Sequence, residues 1–164
     1  MNSRERVLKA IRFEEPDMVP ISEFHIDINL MEQILGIKSS AYHSVQGAIV
    51  ADREVERNYY ELLFKTYEKL GFDIIYGDMS LPDGYKPKRM KDGRYIDEIG
   101  RVYGFDEVTK IYSYMGSAFK DEEDVKNFLS LEFPDPYASG RDFGVRLLAK
   151  WNKGEKALGV LIRE

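Results

Sequence analysis

The chain has 164 residues, of which 43% are apolar and 32% charged, and its net charge is −5. That is enough for one ordinary domain with a real core, in the composition of a soluble globular protein. No apolar run is long enough to span a bilayer and residues 1–5 are not a secretory leader, so a cytoplasmic location is expected; the lack of cysteine excludes disulfides and thiolate metal sites.

Basic residues are scattered among acidic ones, which argues against a nucleic-acid surface. The cluster Lys86, Lys88, Arg89, Lys91 and Arg94 reads as a solvated hairpin face. In chain order, Asn2 is placed to cap a first helix, and Glu5 completes a capping box. Val7, Leu8, Ala10 and Ile11 then form one apolar stripe, and Pro16 stops the helical region. Met18-Val19-Pro20-Ile21 reads as a short strand, with Pro20 at its edge or start. Asp27 is a cap for a short helix bearing Leu30, Met31, Ile34 and Leu35, which Gly36 ends.

The longest helix is predicted over residues 48–70, with Val55, Tyr59, Leu62, Leu63, Thr66 and Leu70 on one face. Gly71 ends it, and Phe72-Asp73-Ile74-Ile75-Tyr76-Gly77-Asp78 follows as a buried strand. Between residues 82 and 114 the turn signals Asp83-Gly84 and Asp92-Gly93 separate short segments rich in Tyr, Ile and Val. They predict antiparallel strands around 95–97, 102–105 and 109–114, an excursion over about 82–115 inserted after the Asp78 strand. Asp121 caps a helix through Val125, Phe128 and Leu129, which Pro134 and Pro136 break. A helix over about 141–152 buries Phe143, Leu147, Leu148 and Trp151; Gly154 ends it, and 157–162 is an apolar strand. Candidate parallel strands therefore lie near residues 19, 75 and 160. A (β/α)8 barrel needs eight strands and typically about 250 residues, so in a barrel about half would lie outside this sequence.

Asp78 leads the candidates for chemistry. Helix, glycine, buried strand, then carboxylate is the order in which α/β folds place reactive groups at the C-terminal ends of parallel strands. There it would bind a cationic or N–H-bearing ligand or act as an acid/base; the structural alternative is a cap before Pro82. His25 follows, flanked by Glu23 and Asp27, as a proton shuttle or metal ligand, unless the face shared by 23, 25 and 27 is simply solvated. His43 lies in a polar loop with Ser39, Ser40 and Ser44. Asp97-Glu98-Ile99-Gly100-Arg101 could line a pocket mouth or make a turn held by a carboxylate–Arg pair, and the turn is favoured; Asp121-Glu122-Glu123-Asp124 looks like a metal-binding acidic run but is better explained as charges complementing a helix dipole. No phosphate loop, dinucleotide fingerprint, HExxH or Ser-His-Asp set is present.

The opening Ser3-Arg4-Glu5-Arg6-Val7-Leu8, with Phe13-Glu14-Glu15-Pro16-Asp17-Met18-Val19-Pro20, resembles the start of the uroporphyrinogen decarboxylase superfamily. Gly71-Phe72-Asp73-Ile74-Ile75 through Asp78 resembles that family's strand with its substrate-binding aspartate. Asp97-Glu98-Ile99-Gly100-Arg101-Val102-Tyr103 resembles a segment of its methyltransferase-like branch, and Pro134-Asp135-Pro136 before a helix also fits. The resemblance covers residues 1–164 as the N-terminal half of the family's usual length. It implies a partial (β/α)8 barrel with an N-terminal helical extension and an inserted antiparallel hairpin region. It also implies a pocket with Asp78 as the catalytic and substrate-binding aspartate, to which His25 and Glu23 are added as substrate-binding candidates.

The implied activity is corrinoid-dependent methyl transfer to a thiol or related acceptor; the alternative within the family is cofactor-free decarboxylation of uroporphyrinogen. The decarboxylases carry an arginine-rich motif after the first strand, whereas Ile21-Ser22-Glu23-Phe24-His25-Ile26-Asp27 has no arginine and would repel an acidic tetrapyrrole. No metal ligand or cofactor is assigned to this segment by itself, and alone it is expected to be inactive. If the protein is a methyltransferase, the resemblance implies zinc and a corrinoid in the full-length protein, with the branch's zinc ligands mainly in its second half. Expected partners are a small-molecule substrate or a corrinoid protein, with a homo-oligomer considered and neither nucleic acid nor membrane. A third reading is a non-catalytic half-barrel module that associates through an unpaired strand edge at residue 162. A reading frame continuing past Glu164 with a His-x-Cys pair would favour methyl transfer.

Overall fold

The computed structural model describes residues 1–39, 52–106, 111–130 and 134–161. His43 and the expected element ends at 48, 109 and 162 lie outside these residues. The described chain is mixed α/β, with five helices, one parallel sheet and one antiparallel sheet. It falls into two compact units. The parallel strands form a two-stranded sheet, and no closed barrel is formed among the described residues.

The first unit contains α1 (Ser3–Ile11), α2 (Ile28–Leu35), α3 (Arg53–Leu70), β1 (Ile74–Asp78), α5 (Phe143–Asn152) and β6 (Ala157–Leu161). Local chemistry sets most boundaries. Asn2 accepts from the Glu5 N–H and Glu5 reaches back to the Asn2 N–H, closing the expected capping box. Gly36 and Gly71 end α2 and α3 at φ +70° and +71°, where a Cβ would be strained. Asp27 sits at the cap position of α2 but makes no cap hydrogen bond; its carboxylate lies 3.5 Å from His25 Nε2.

Two expected apolar faces are corrected. On α1 only Val7 is buried, and Ile11 is exposed. On α3 the buried face holds Glu56, Tyr60, Leu62, Leu63, Thr66 and Tyr67, while Leu70 is exposed. The stripe is turned from the apolar count because Tyr60, Tyr67 and Glu56 have partners inside the unit that satisfy their polar atoms. These residues join Ile26, Ile28, Met31, Ile75 and Leu148 in or beside the core.

β1 and β6 pair in parallel, from Ile74↔Ala157 to Asp78↔Leu161. Residues of a parallel strand address the neighbour alternately. Ala157 N–H donates to the Asp73 carbonyl, so Ile75 and Gly77 address β6 while Ile74, Tyr76 and Asp78 turn their backbone groups to the outer edge. The expected strand near residue 19 does not form a ladder on that edge. Pro20 has no N–H to offer, and the Asp73 carboxylate takes the Ile21 N–H at 2.9 Å. Asp73 N–H donates to the Ile21 carbonyl at 2.8 Å and Ser22 Oγ to the Ile74 carbonyl at 2.8 Å. Residues 21 and 22 therefore lie along the start of β1, held mainly by side chains.

Arg6 locks α1 to this junction. Its guanidinium meets the buried Asp73 at 2.5 Å and Asp17 at 2.7 Å, and Asp17 also faces the Met1 amino group at 3.4 Å. The Arg6 hydrogen bond holds the Asp17 carboxyl at about 2, down from 3.8. As pH falls the unfolded chain therefore binds this proton first. The pair's stabilisation is complete above pH 3.8 and is lost as pH drops through about 2. Acid titration followed by circular dichroism should show Asp17→Asn flattening the loss of stability across that window.

The second unit contains β2 (Lys88–Arg89), β3 (Tyr95–Ile96), β4 (Arg101–Asp106), β5 (Ile111–Ser117) and α4 (Glu122–Leu129). The strands form an antiparallel sheet in the order β2-β3-β4-β5, the expected excursion with one more short strand. Asp97 accepts from the Ile99 and Arg101 N–H groups and from Arg101 Nε at 2.6 Å, making the expected turn. Gly100 is required there at φ +82°, beneath the Phe119 ring. Asp121 caps α4 by accepting from the Asp124 N–H at 2.9 Å, which gives the acidic run its structural role.

Candidate functional site at the end of strand β1

Gly77 lets α5 approach the end of β1, since a Cβ there would stand 3.1 Å from Leu148 and 3.2 Å from Val145. The next residue, Asp78, is half-buried at the C-terminal tip of the strand. Its outward backbone edge is held by one hydroxyl. Tyr60 Oη accepts from the Asp78 N–H at 3.3 Å and donates to the Asp78 carbonyl at 3.2 Å. Burial, with the charges of Asp78 and Glu56 adding to it, pushes the Tyr60 phenol well above its usual value, so it stays protonated and can donate.

Two residues further on, Ser80 ties three elements together. Its Oγ donates to the buried Glu56 carboxylate of α3 and accepts from the Gly144 N–H of α5 at 3.1 Å. Arg53 neutralises Glu56 at 2.6 Å, and its guanidinium lies 4.9 Å from the centre of the Phe143 ring. Gly144 admits the Tyr60 ring against the first turn of α5, where any Cβ would overlap it. The result is a carboxylate-bearing strand tip whose backbone is fixed by Tyr60, followed two residues on by a serine that joins a buried, arginine-paired glutamate to the first turn of α5. Such a tip carboxylate can bind a cation or an N–H donor, or exchange a proton with a ligand.

The other sequence candidates have local partners. His25 Nε2 lies 3.5 Å from Asp27 Oδ1, and both side chains are more than half exposed. The Glu23 carboxylate folds onto the Phe24 and His25 N–H groups at 2.9 and 3.4 Å. Glu23, Phe24, His25 and Asp27 are all exposed, while Ile26 and Ile28 are buried. The hydrogen bonds of Asp78 bring it together instead with Tyr60, and Tyr60 shares its helix with Glu56. Sequence reading missed Tyr60, Glu56, Ser80 and Gly144. The available signal was a Glu and a Tyr at i, i+4 on a helix leading into a carboxylate-tipped strand.

Among the described residues no three His, Asp or Glu side chains converge in a way that would hold a metal ion. His25 with Asp27 supplies two exposed donors, and Glu23 Oε1 accepts from the Phe24 and His25 N–H groups, so these residues do not by themselves fit zinc. No helix among the described residues is long and apolar enough to cross a membrane. Comparison of the chain with protein-family models, with curated proteins and with solved structures returned no match in any of the three.

Proposed function

We propose that the chain contributes the Asp78 wall of a (β/α)8-type pocket, in an enzyme of the methyltransferase-like branch of the uroporphyrinogen decarboxylase superfamily. The reaction proposed is methyl transfer from a corrinoid to a thiol or related acceptor. The observation that carries the reading is Asp78 at the C-terminal tip of β1, in parallel register with β6, where α/β enzymes place their chemistry. Two features add support. Residues 21–22, β1 and β6 lie side by side in chain order, the order a barrel keeps throughout. The exposed acidic residues after that first segment are Glu23 and Asp27, with no arginine among residues 21–27, which disfavours a substrate rich in carboxylates.

Asp78 is the substrate-facing acid/base or binding group, and Tyr60 its positioning residue. The test uses the polypeptide as its gene encodes it, with methylcobalamin and a thiol acceptor. Thiol-dependent demethylation of the corrinoid is expected, and Asp78→Asn should slow it at least tenfold. Loss of carboxyl groups from uroporphyrinogen without methyl transfer would replace this reading with the decarboxylase.

A further inference from the structure

The chain leaves the first unit after Ser80 and returns to it at Asp142, so residues 81–141 all belong to the second. A long insertion burdens its host least when its two ends are held together, because the host then closes a short loop and not a long one. Here each unit ties its own side of the junction.

In the second unit the outgoing and returning segments are joined twice at one place. The Asp83 N–H donates to the Ser139 carbonyl at 2.7 Å, and Ser139 Oγ donates to the Asp83 carboxylate at 2.7 Å. Arg141, the last residue of the unit, is buried. Its Nη1 and Nη2 donate to the two carboxylate oxygens of Glu98 at 2.8 and 2.6 Å, and its Nε donates to the Asp135 carbonyl at 2.6 Å. A two-pronged, charge-assisted pair of this kind is among the stronger polar contacts a protein makes. Glu98 stands in the turn that Asp97 builds between β3 and β4. The fork therefore fastens the returning end of the unit to the middle of its own sheet.

On the first unit's side the tie is Ser80, which accepts from the Gly144 N–H at 3.1 Å and donates to Glu56. Tyr60 holds Asp78 just before it. Glu56, Tyr60, Asp78, Ser80 and Gly144 are all residues of the first unit, whereas Asp83, Glu98, Asp135, Ser139 and Arg141 are all residues of the second. Neither set of ties borrows a group from the other.

We propose that the Glu98–Arg141 fork is a clasp that lets the second unit open and close as one block while the Asp78 tip stays folded. Cooperative blocks with separate opening equilibria are how a fold loosens one part without rebuilding another. The antiparallel sheet can then be loosened or tightened through this one contact, whatever reaction Asp78 serves.

The test uses the whole chain. Its single tryptophan, Trp151, is in α5, so tryptophan fluorescence reads the first unit. Amide hydrogen exchange across β3, β4 and β5 reads the second. Glu98→Gln keeps the shape and removes the charge. It should speed exchange in those strands roughly tenfold or more, leave α3 and β1 within about twofold, and leave the urea midpoint of Trp151 fluorescence unchanged. If the variant loses the sheet outright, an unchanged Trp151 midpoint supports the proposal equally. Ser80→Ala should do the reverse, lowering the Trp151 midpoint with exchange in β3–β5 within about twofold of wild type. Unchanged exchange of β3–β5 in Glu98→Gln, a rise shared equally by α3 and β1, or a Trp151 midpoint that falls together with the sheet overturns the proposal. So does a Ser80→Ala variant that loosens both units alike.

Discussion

Asp73→Ala is expected to lower the unfolding free energy by about 3 kcal/mol, the range for breaking a buried charge pair by removing one partner. The Asp73 side chain is 1% exposed and serves as a hub. It accepts from the Ile21 N–H and pairs with Arg6. Burial alone would raise its carboxyl, but the Ile21 N–H, Ser3 and Arg6 together hold it below the usual value. Truncation leaves the Ile21 N–H without its acceptor and the guanidinium with Asp17 and the Met1 carbonyl. Asp73→Asn keeps an acceptor for Ile21 and loses the charge, so it should fall between wild type and alanine in urea midpoint. Equal midpoints for the asparagine variant and wild type would show that the charge contributes nothing.

Gly144→Ala should lower stability by about 2 kcal/mol, although alanine is the better helix former by about 1 kcal/mol. The new methyl would overlap Tyr60 Cε2 and Cζ. That ring is 4% exposed and pinned by both hydrogen bonds to Asp78, so it cannot swing aside without releasing the strand tip. The effect must therefore vanish when the ring is removed. In a Tyr60→Leu background Gly144→Ala should be neutral or stabilising, a coupling that urea titrations of the four chains measure. The same cost in both backgrounds would place the clash elsewhere. Because the methyl acts through Tyr60, Gly144→Ala should also impair any ligand binding that depends on Asp78.

What could be read in the sequence was what short-range chemistry decides. The Asn2–Glu5 box, the Asp121 cap, the Gly36 and Gly71 stops, the Asp97–Arg101 turn and the buried strand ending in Asp78 each need only residues a few positions apart. What could not be read depends on partners far along the chain. Asp27 looks like a cap but makes no cap hydrogen bond, and its carboxylate lies 3.5 Å from His25 Nε2. Residues 18–21 look like a strand until the Asp73 carboxylate takes the N–H that a ladder would use. Glu56 looks like a solvent-facing helix charge, and is buried because Ser80 and Arg53 converge on it. Asp78 ends β1 where its sequence pattern placed it; Tyr60, which holds its backbone, comes from α3 and does not show in an apolar stripe.

The insertion of the antiparallel sheet between β1 and α5 bears on how the chain folds. β1 and β6 meet from positions about eighty residues apart, and closing a loop of that size carries its entropic cost before the parallel ladder returns anything. The strands between them pair with near neighbours through tight turns, as β3 does with β4 across Asp97 and Gly100. The hairpins therefore form early, and the β1–β6 pair with its Asp78 tip closes late. Substitutions within β6 should then accelerate unfolding and leave the folding rate nearly unchanged, whereas substitutions in the Asp97 turn should slow folding.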